Sequence, residues 1–244
     1  MPARRMSSTY NEIQLLGVPH YLQGEADGLC VYYAMSMVLV ALYPEFHGKI
    51  HEAPHYKREG SPVFQILRQR ARSDRKFKEE VGDWFFNGMR TTDATRILNK
   101  LFCEYYTDCR ATNYFIHQRV KCRRMRKRKY NRQLRALERI WNVSDICNAI
   151  SWHLPVIISG GGIENHAVVA VGWGSEGRSR WITYHDPGLV RSSWDYVRKI
   201  FYDDCAAIIP NWECFTEHRP PALITRGKHT EYEVWNPEEL GHSK

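Results

Sequence analysis

Between Ser144 and Pro210 the sequence runs helix, strand, strand, strand, and this order limits the possible folds more than any other feature. "SDICNAISWH" (144–153) places apolar residues at helical spacing behind a serine N-cap. "PVIIS" (155–159), "HAVVAVGW" (166–173), "WITYHD" (181–186) and "CAAIIP" (205–210) are short apolar runs bounded by turn residues, the signature of strands. "SSWDYVRKIFYDD" (192–204) reads as a helix before the last of them. Upstream, "ADGLCVYYAMSMVLVALY" predicts a helix that begins at Asp27 or Gly28 and stops before Pro44. Helix first and strands later is an α+β order, a helical part plus a small antiparallel sheet.

At 244 residues and 43% hydrophobic the chain can bury a full core. We expect one domain over 17–210, preceded by an N-terminal extension (1–16) and followed by a tail (211–244) rich in Pro, His and charge. Ser61-Pro62 predicts another helix start, Thr91 or Thr92 a further cap, and "CEYYTD" and "ATNYFIHQRV" two more strands. "YNRQLRALERIW" (130–141) has helical spacing and closes a basic helical insertion over about 114–142.

The net charge of +8 is concentrated in one place. "RVKCRRMRKRKYNRQLR" (119–135) holds ten Lys/Arg and no acid, and outside it 25 basic residues face 27 acidic ones. Lys121, Arg123, Arg124, Arg126, Lys127, Arg128, Lys129 and Arg132 thus form a local docking tract for nucleic acid or an acidic protein, with Tyr114, Phe115 and Tyr130 near enough in sequence to stack on bases. A charge run is more often a solvated face, and that alternative stands beside the docking one.

Seven cysteines is an odd, scattered number, and "MPARRMSSTYNEIQ" lacks the apolar centre of a signal peptide. The simplest expectation is a cytoplasmic chain with reduced thiols. The apolar run Leu29 to Tyr43 is shorter than the roughly 20 residues a membrane span needs, so no membrane partner is expected. Neither the cysteine spacings nor His51 and His55, separated by Pro54, suit a metal, and no cofactor is implied.

Cys30 sits in the first turn of its helix, where unpaired N–H groups and the macrodipole favour a thiolate. A lone cysteine is otherwise more often a buried apolar residue. His166 and Asp186 are equidistant from residue 176, inside the polar loop "GSEGR" (174–178). The simplest unbulged hairpin therefore sets them directly opposite each other on one face, and sets His185 opposite Ala167 on the other. An aspartate so placed accepts from one imidazole nitrogen and leaves the other for a nucleophile. Gln23 adds an amide that can donate to an oxyanion beside the Cys30 backbone N–H.

"VPHYLQGEADGLCVYYAMSMVL", "SDICNAISWHLPVIIS", "NHAVVAVGW", "WITYHDPG" and "SSWDYVRKIFYDDCAAIIP", in that order, resemble the papain-like cysteine peptidases, nearest the bacteriocin-leader (double-glycine) peptidase branch and its stand-alone relatives. The resemblance covers 17–43 and 144–210. It implies a papain-like fold with the cleft between helical part and sheet, Cys30 as nucleophile, His166 as general base and then acid, Asp186 as its orienter and Gln23 in the oxyanion hole. The implied activity is hydrolysis of a protein or peptide through a thioester. Gln23 precedes Cys30 by one residue more than in the family, and Val31 stands where relatives often carry Gly or Trp. Two alternatives remain at this point: the same thiol chemistry used for glutamine deamidation or transglutamination, and a binding module in which the basic tract does the work. "SGGG" (159–162) contains a double glycine, read here as a turn.

Overall fold

The structure is a computed structural model that describes residues 10–23, 29–42, 94–99, 111–116, 140–141, 143–160, 166–189, 191–197, 205–210, 223–227 and 230–235. The chain is α+β. Its strands are β1 (Tyr10–Leu15), β2 (Ala111–Ile116), β3 (Ile140–Trp141), β4 (Val156–Gly160), β5 (His166–Glu176), β6 (Ser179–His185), β7 (Ser193–Tyr196), β8 (Cys205–Pro210), β9 (Leu223–Gly227) and β10 (Thr230–Trp235). Helix α1 spans Cys30–Leu42 and helix α2 spans Val143–Ser151, and residues 94–99 are also helical. Among the described residues no helix is long and apolar enough to cross a membrane.

All the strands belong to one sheet, in the order β10-β9-β1-β5-β4-β8-β2-β3, with β6 and then β7 branching from β5. Every pairing is antiparallel except β2 with β3. β5 is the hub, because its residues 166–170 pair with β4 and its residues 172–176 with β1, while β6 takes the opposite edge.

α1 is apolar all round, which is the pattern of a helix buried on every side. All of its residues are buried, and it packs against β4 and β5. Ser36, its one hydroxyl-bearing aliphatic residue, returns its proton to the Tyr32 carbonyl at 2.9 Å, so no polar atom of that side chain is stranded. α2 is amphipathic and buries Ile146, Cys147, Ala149 and Ile150. It ends in a tight reversal: Leu154 N–H donates to Ala149 and His153 N–H to Ile150, with His153 at φ 64°. This is the Schellman arrangement, with histidine where glycine is usual. Trp173 of β5 then donates to Ser151 at 3.1 Å and fastens the end of α2 to the sheet.

Several sequence expectations change. The span 192–204 is not helical from its start: Ser193–Tyr196 forms β7, paired with β6. Ile140 and Trp141 end no helix; they form β3 beside Phe115 and Ile116. The polar loop 174–178 shrinks to Gly177 and Arg178, because β5 continues to Glu176. With φ positive at Gly177 alone, this is the two-residue type II′ turn, which matches the twist of the strands it joins. The sheet also runs past the 17–210 boundary at both ends, with β1 between β5 and β9 and with β9 and β10 in what the sequence suggests is an aperiodic tail. The run 103–108, the helix start at 61–62, the cap at 91–92, residues 24–28 and the basic tract 119–135 lie outside the described residues.

Candidate functional site

Four local structures converge on the N-terminal end of β5. The first is the start of α1, where Tyr33 N–H donates to the Leu29 carbonyl at 3.2 Å. Leu29 is therefore the N-cap and Cys30 the first helical residue, among the N–H groups that have no partner inside a helix. Cys30 is buried at 8% exposure.

The second is His166, the first residue of β5, with 25% of its side chain exposed. Its Nε2 lies 2.6 Å from Asp186 Oδ1 and donates to it. That leaves Nδ1 as the ring's remaining polar atom. The hydrogen bond to Asp186, and then one to the Cys30 thiol, outweigh burial and push the imidazole up to about 10. These neighbours favour the protonated form of the His166 ring, which lies between a carboxylate and a sulfur.

The third is the turn that follows β6. Asp186 Oδ1 also accepts from Gly188 N–H at 2.7 Å, and Leu189 N–H closes the turn on the Asp186 carbonyl at 3.0 Å. Burial pushes the carboxyl up, but the bonds from His166 and Gly188, with the charges of His166 and His20, more than offset it and leave it below its ordinary value. A Cβ at Gly188 would stand 3.2 Å from Oδ1 and 3.8 Å from His166 Nε2, so a side chain there would crowd the pair.

The contact between His166 and Asp186 does not arise by the register that the sequence suggests. The β5–β6 hairpin turns at Gly177–Arg178, later than the sequence suggests, and pairs Glu176 with Ser179 and Gly172 with Thr183; it then shifts by one residue at a bulge between Ala170 and Gly172, and the two changes together set His185 opposite Val169 and not Ala167. Continued one step, the shifted register sets Asp186 across from Val168, on the same face as His166 and diagonal to it. A diagonal neighbour lies within reach of a side chain at roughly 7–8 Å. Without the bulge Asp186 would fall opposite Val169 and point to the other face. The extra residue in β5 therefore decides which side of the sheet the carboxylate occupies.

The fourth is the segment 18–23, which passes alongside the end of β6. Gln23 N–H donates to the Pro187 carbonyl at 2.8 Å, and His20 Nε2 lies 2.7 Å from the Asp186 carbonyl. The Gln23 side-chain oxygen is buried with no hydrogen-bond partner among the described residues. His185 stacks on His20 with ring centres 4.7 Å apart, and its Nδ1 lies 2.8 Å from the Ser192 hydroxyl. Burial, then the charge of His20, bring its imidazole down to about 4, so His185 is neutral and accepts from Ser192.

Cys30, His166, Asp186 and Gln23 thus share one region. Lys121, Arg123, Arg124, Arg126, Lys127, Arg128, Lys129 and Arg132 lie outside the described residues. Sequence reasoning passes over His20, whose partners are far away in the chain, and it assigns Gly188 no function of its own. No protein-family model matches the sequence, and no curated protein matches it.

Proposed function

We propose that the chain is a papain-like cysteine peptidase that cleaves a protein or peptide with Cys30 as nucleophile. The observation that carries this reading is the 2.6 Å hydrogen bond from His166 Nε2 to Asp186 Oδ1 in a ring that the neighbouring Cys30 thiol also influences, so that thiol, imidazole and carboxylate lie together.

In the proposed mechanism the thiolate of Cys30 attacks the scissile carbonyl carbon, a C–S bond forms and the carbonyl electrons move to oxygen. The Cys30 backbone N–H, free of any helical partner, and the Gln23 amide hold that oxyanion. Gln23 fits this task because an amide turned end for end keeps its shape and presents N–H where its unpartnered oxygen now lies. The His166 imidazolium gives its proton to the leaving amine as the C–N bond breaks, leaving a thioester. Neutral His166 then takes a proton from water, whose oxygen attacks the thioester carbonyl; the C–S bond breaks, releasing the acid product and restoring the Cys30 thiolate and the His166 imidazolium. Asp186 keeps the ring in the required tautomer throughout. The basic tract 119–135 serves as a docking element for a nucleic acid or an acidic partner.

The test is alkylation of the seven cysteines at pH 6, followed by peptide mapping, in the wild type and in His166→Ala. The expected result is a Cys30 rate at least tenfold above the other thiols, lost in the variant. Equal rates in both proteins would sink the proposed pair. Mass spectrometry of candidate substrates then separates chain cleavage from deamidation, which adds about one dalton and leaves the chain whole under the same thioester logic.

A further inference from the structure

The segment 18–23 is tied by two hydrogen bonds to the turn that follows β6. His20 Nε2 lies 2.7 Å from the Asp186 carbonyl oxygen, and Gln23 N–H donates to the Pro187 carbonyl at 2.8 Å. A carbonyl only accepts, so His20 carries its proton on Nε2 and donates. Its ring lies nearly flat on His185, with planes 24° apart. His185 is itself fixed by Ser192 and buried at 8% exposure, so the surface on which His20 rests is rigid.

The peptide joining Asp186 to Pro187 has no N–H, so its carbonyl is the polar handle of that peptide plane; it accepts from Leu189 N–H at 3.0 Å inside the turn and, from outside the turn, from His20 at 2.7 Å. If the plane rocks, Gly188 moves with it, and Gly188 N–H is a partner of the same Oδ1 that meets His166. Nothing else from the segment 18–23 touches Asp186 by a hydrogen bond among the described residues.

We propose that His20 is a positioning residue: by gripping the Asp186 carbonyl while stacked on His185, it sets the angle at which the Asp186 carboxylate meets His166. This inference rests on the reading of Cys30, His166 and Asp186 as one site. It also gives the segment a second duty, since the stretch that carries Gln23 orients the carboxylate too, so both ends of the site are set by one short piece of chain.

The experiment follows the His166 ring by NMR across pH in protein labelled at histidine, in the wild type, H20F, H20Q and D186N. H20F keeps a flat ring and loses the donor, and H20Q keeps an N–H donor and loses the ring. His166 is expected to titrate far above its ordinary value of about 6.5 in the wild type, at least one pH unit lower in H20F, and within half a unit of wild type in H20Q. A purely structural role for His20 would lower the melting temperature in both variants without separating their His166 midpoints. An H20F midpoint equal to wild type overturns the proposal, as does an H20Q midpoint as low as that of D186N. If H20F does not fold, H20Q against wild type and D186N decides the question alone. A wild-type His166 that titrates near 6.5 overturns the site reading together with this inference. A high wild-type midpoint unmoved in H20F overturns only the role of His20.

Discussion

The two halves of β5 live in different surroundings although they are one strand. From Ala167 to Val171 every residue is buried, with β4 and β6 at the edges and α1 packed against the strand. From Gly172 to Glu176 buried and part-exposed residues alternate and the neighbour changes to β1. A strand covered on both faces loses its alternation, and with it the local record of which side chain faces where. The half that carries His166 is therefore the half whose register is hardest to read, and the bulge lies at the seam between the two.

Three measurements would break or sharpen this contrast. The largest effect is expected from a buried charge. Val169→Asp puts a carboxylate at a fully buried position whose cross-strand neighbour, His185, is itself buried and neutral, and it should cost more than about 4 kcal/mol, enough to unfold the chain, whereas Ser175→Asp should stay within about 1 kcal/mol. Equilibrium denaturation of the two variants measures the difference, and similar losses would mean that the halves are equally enclosed.

Two glycines at the seam provide a finer comparison. A Cβ on Gly172 would stand 2.8 Å from the Ile13 carbonyl oxygen, a backbone atom of the paired strand, and 3.2 Å from Thr183 Cβ. The atoms nearest to a Cβ on Gly174 would all belong to the Trp181 indole, a side chain and not backbone. That indole lies on an outer aromatic row with Tyr10, Trp194 and Tyr196, and Trp194 is more than half exposed, so the ring has somewhere to go. Gly172→Ala is expected to cost about 3 kcal/mol and Gly174→Ala about 1 kcal/mol. Thermal melts of the pair check the order, and the reverse order would show that Trp181 is the more firmly held.

The smallest effect is the slope of stability with pH. His166 binds its proton more tightly folded than unfolded, so its contribution is complete below about 6.5 and is lost as pH rises toward 10. His185 behaves oppositely, because its folded value near 4 lies below the unfolded one. Its contribution is complete above about 6.5 and is lost as pH falls toward 4. Each limb slopes by at most about 1.4 kcal/mol per pH unit, with a maximum near pH 6.5. In urea titrations His166→Gln should flatten the alkaline limb and His185→Gln the acid one. If either substitution leaves its own limb unchanged, the assignment of that histidine fails.

Much of this was legible in the residues and some was not, for identifiable reasons. α1, β4, β5, β6 and β8 follow from long apolar runs punctuated by turn residues. β7 was obscured because helix-friendly residues continue past it, although Trp194 and Tyr196 recur at the strand spacing of two. β1 and β10 also carry that spacing, in Ile13 and Leu15 and in Tyr232 and Val234, but these runs are short and their flanking residues polar or charged, which dilutes the apolar signal. His166 and Asp186 were identifiable as a pair by residue type, while their geometry depended on a bulge that no local pattern announces. His20 has no local signature, since its partner is 166 residues away.

That separation also governs when the site can come into being. Contacts between distant residues form late because the loop between them must first be closed. At about 5–20 residues per second, Cys30 is synthesised on the order of ten seconds before Asp186, and β1 waits longer still for β9. Until then the emerging chain carries a thiol with no imidazole to pair with it. The clasp between residues 18–23 and the end of β6 thus cannot close until the chain has been made past Pro187.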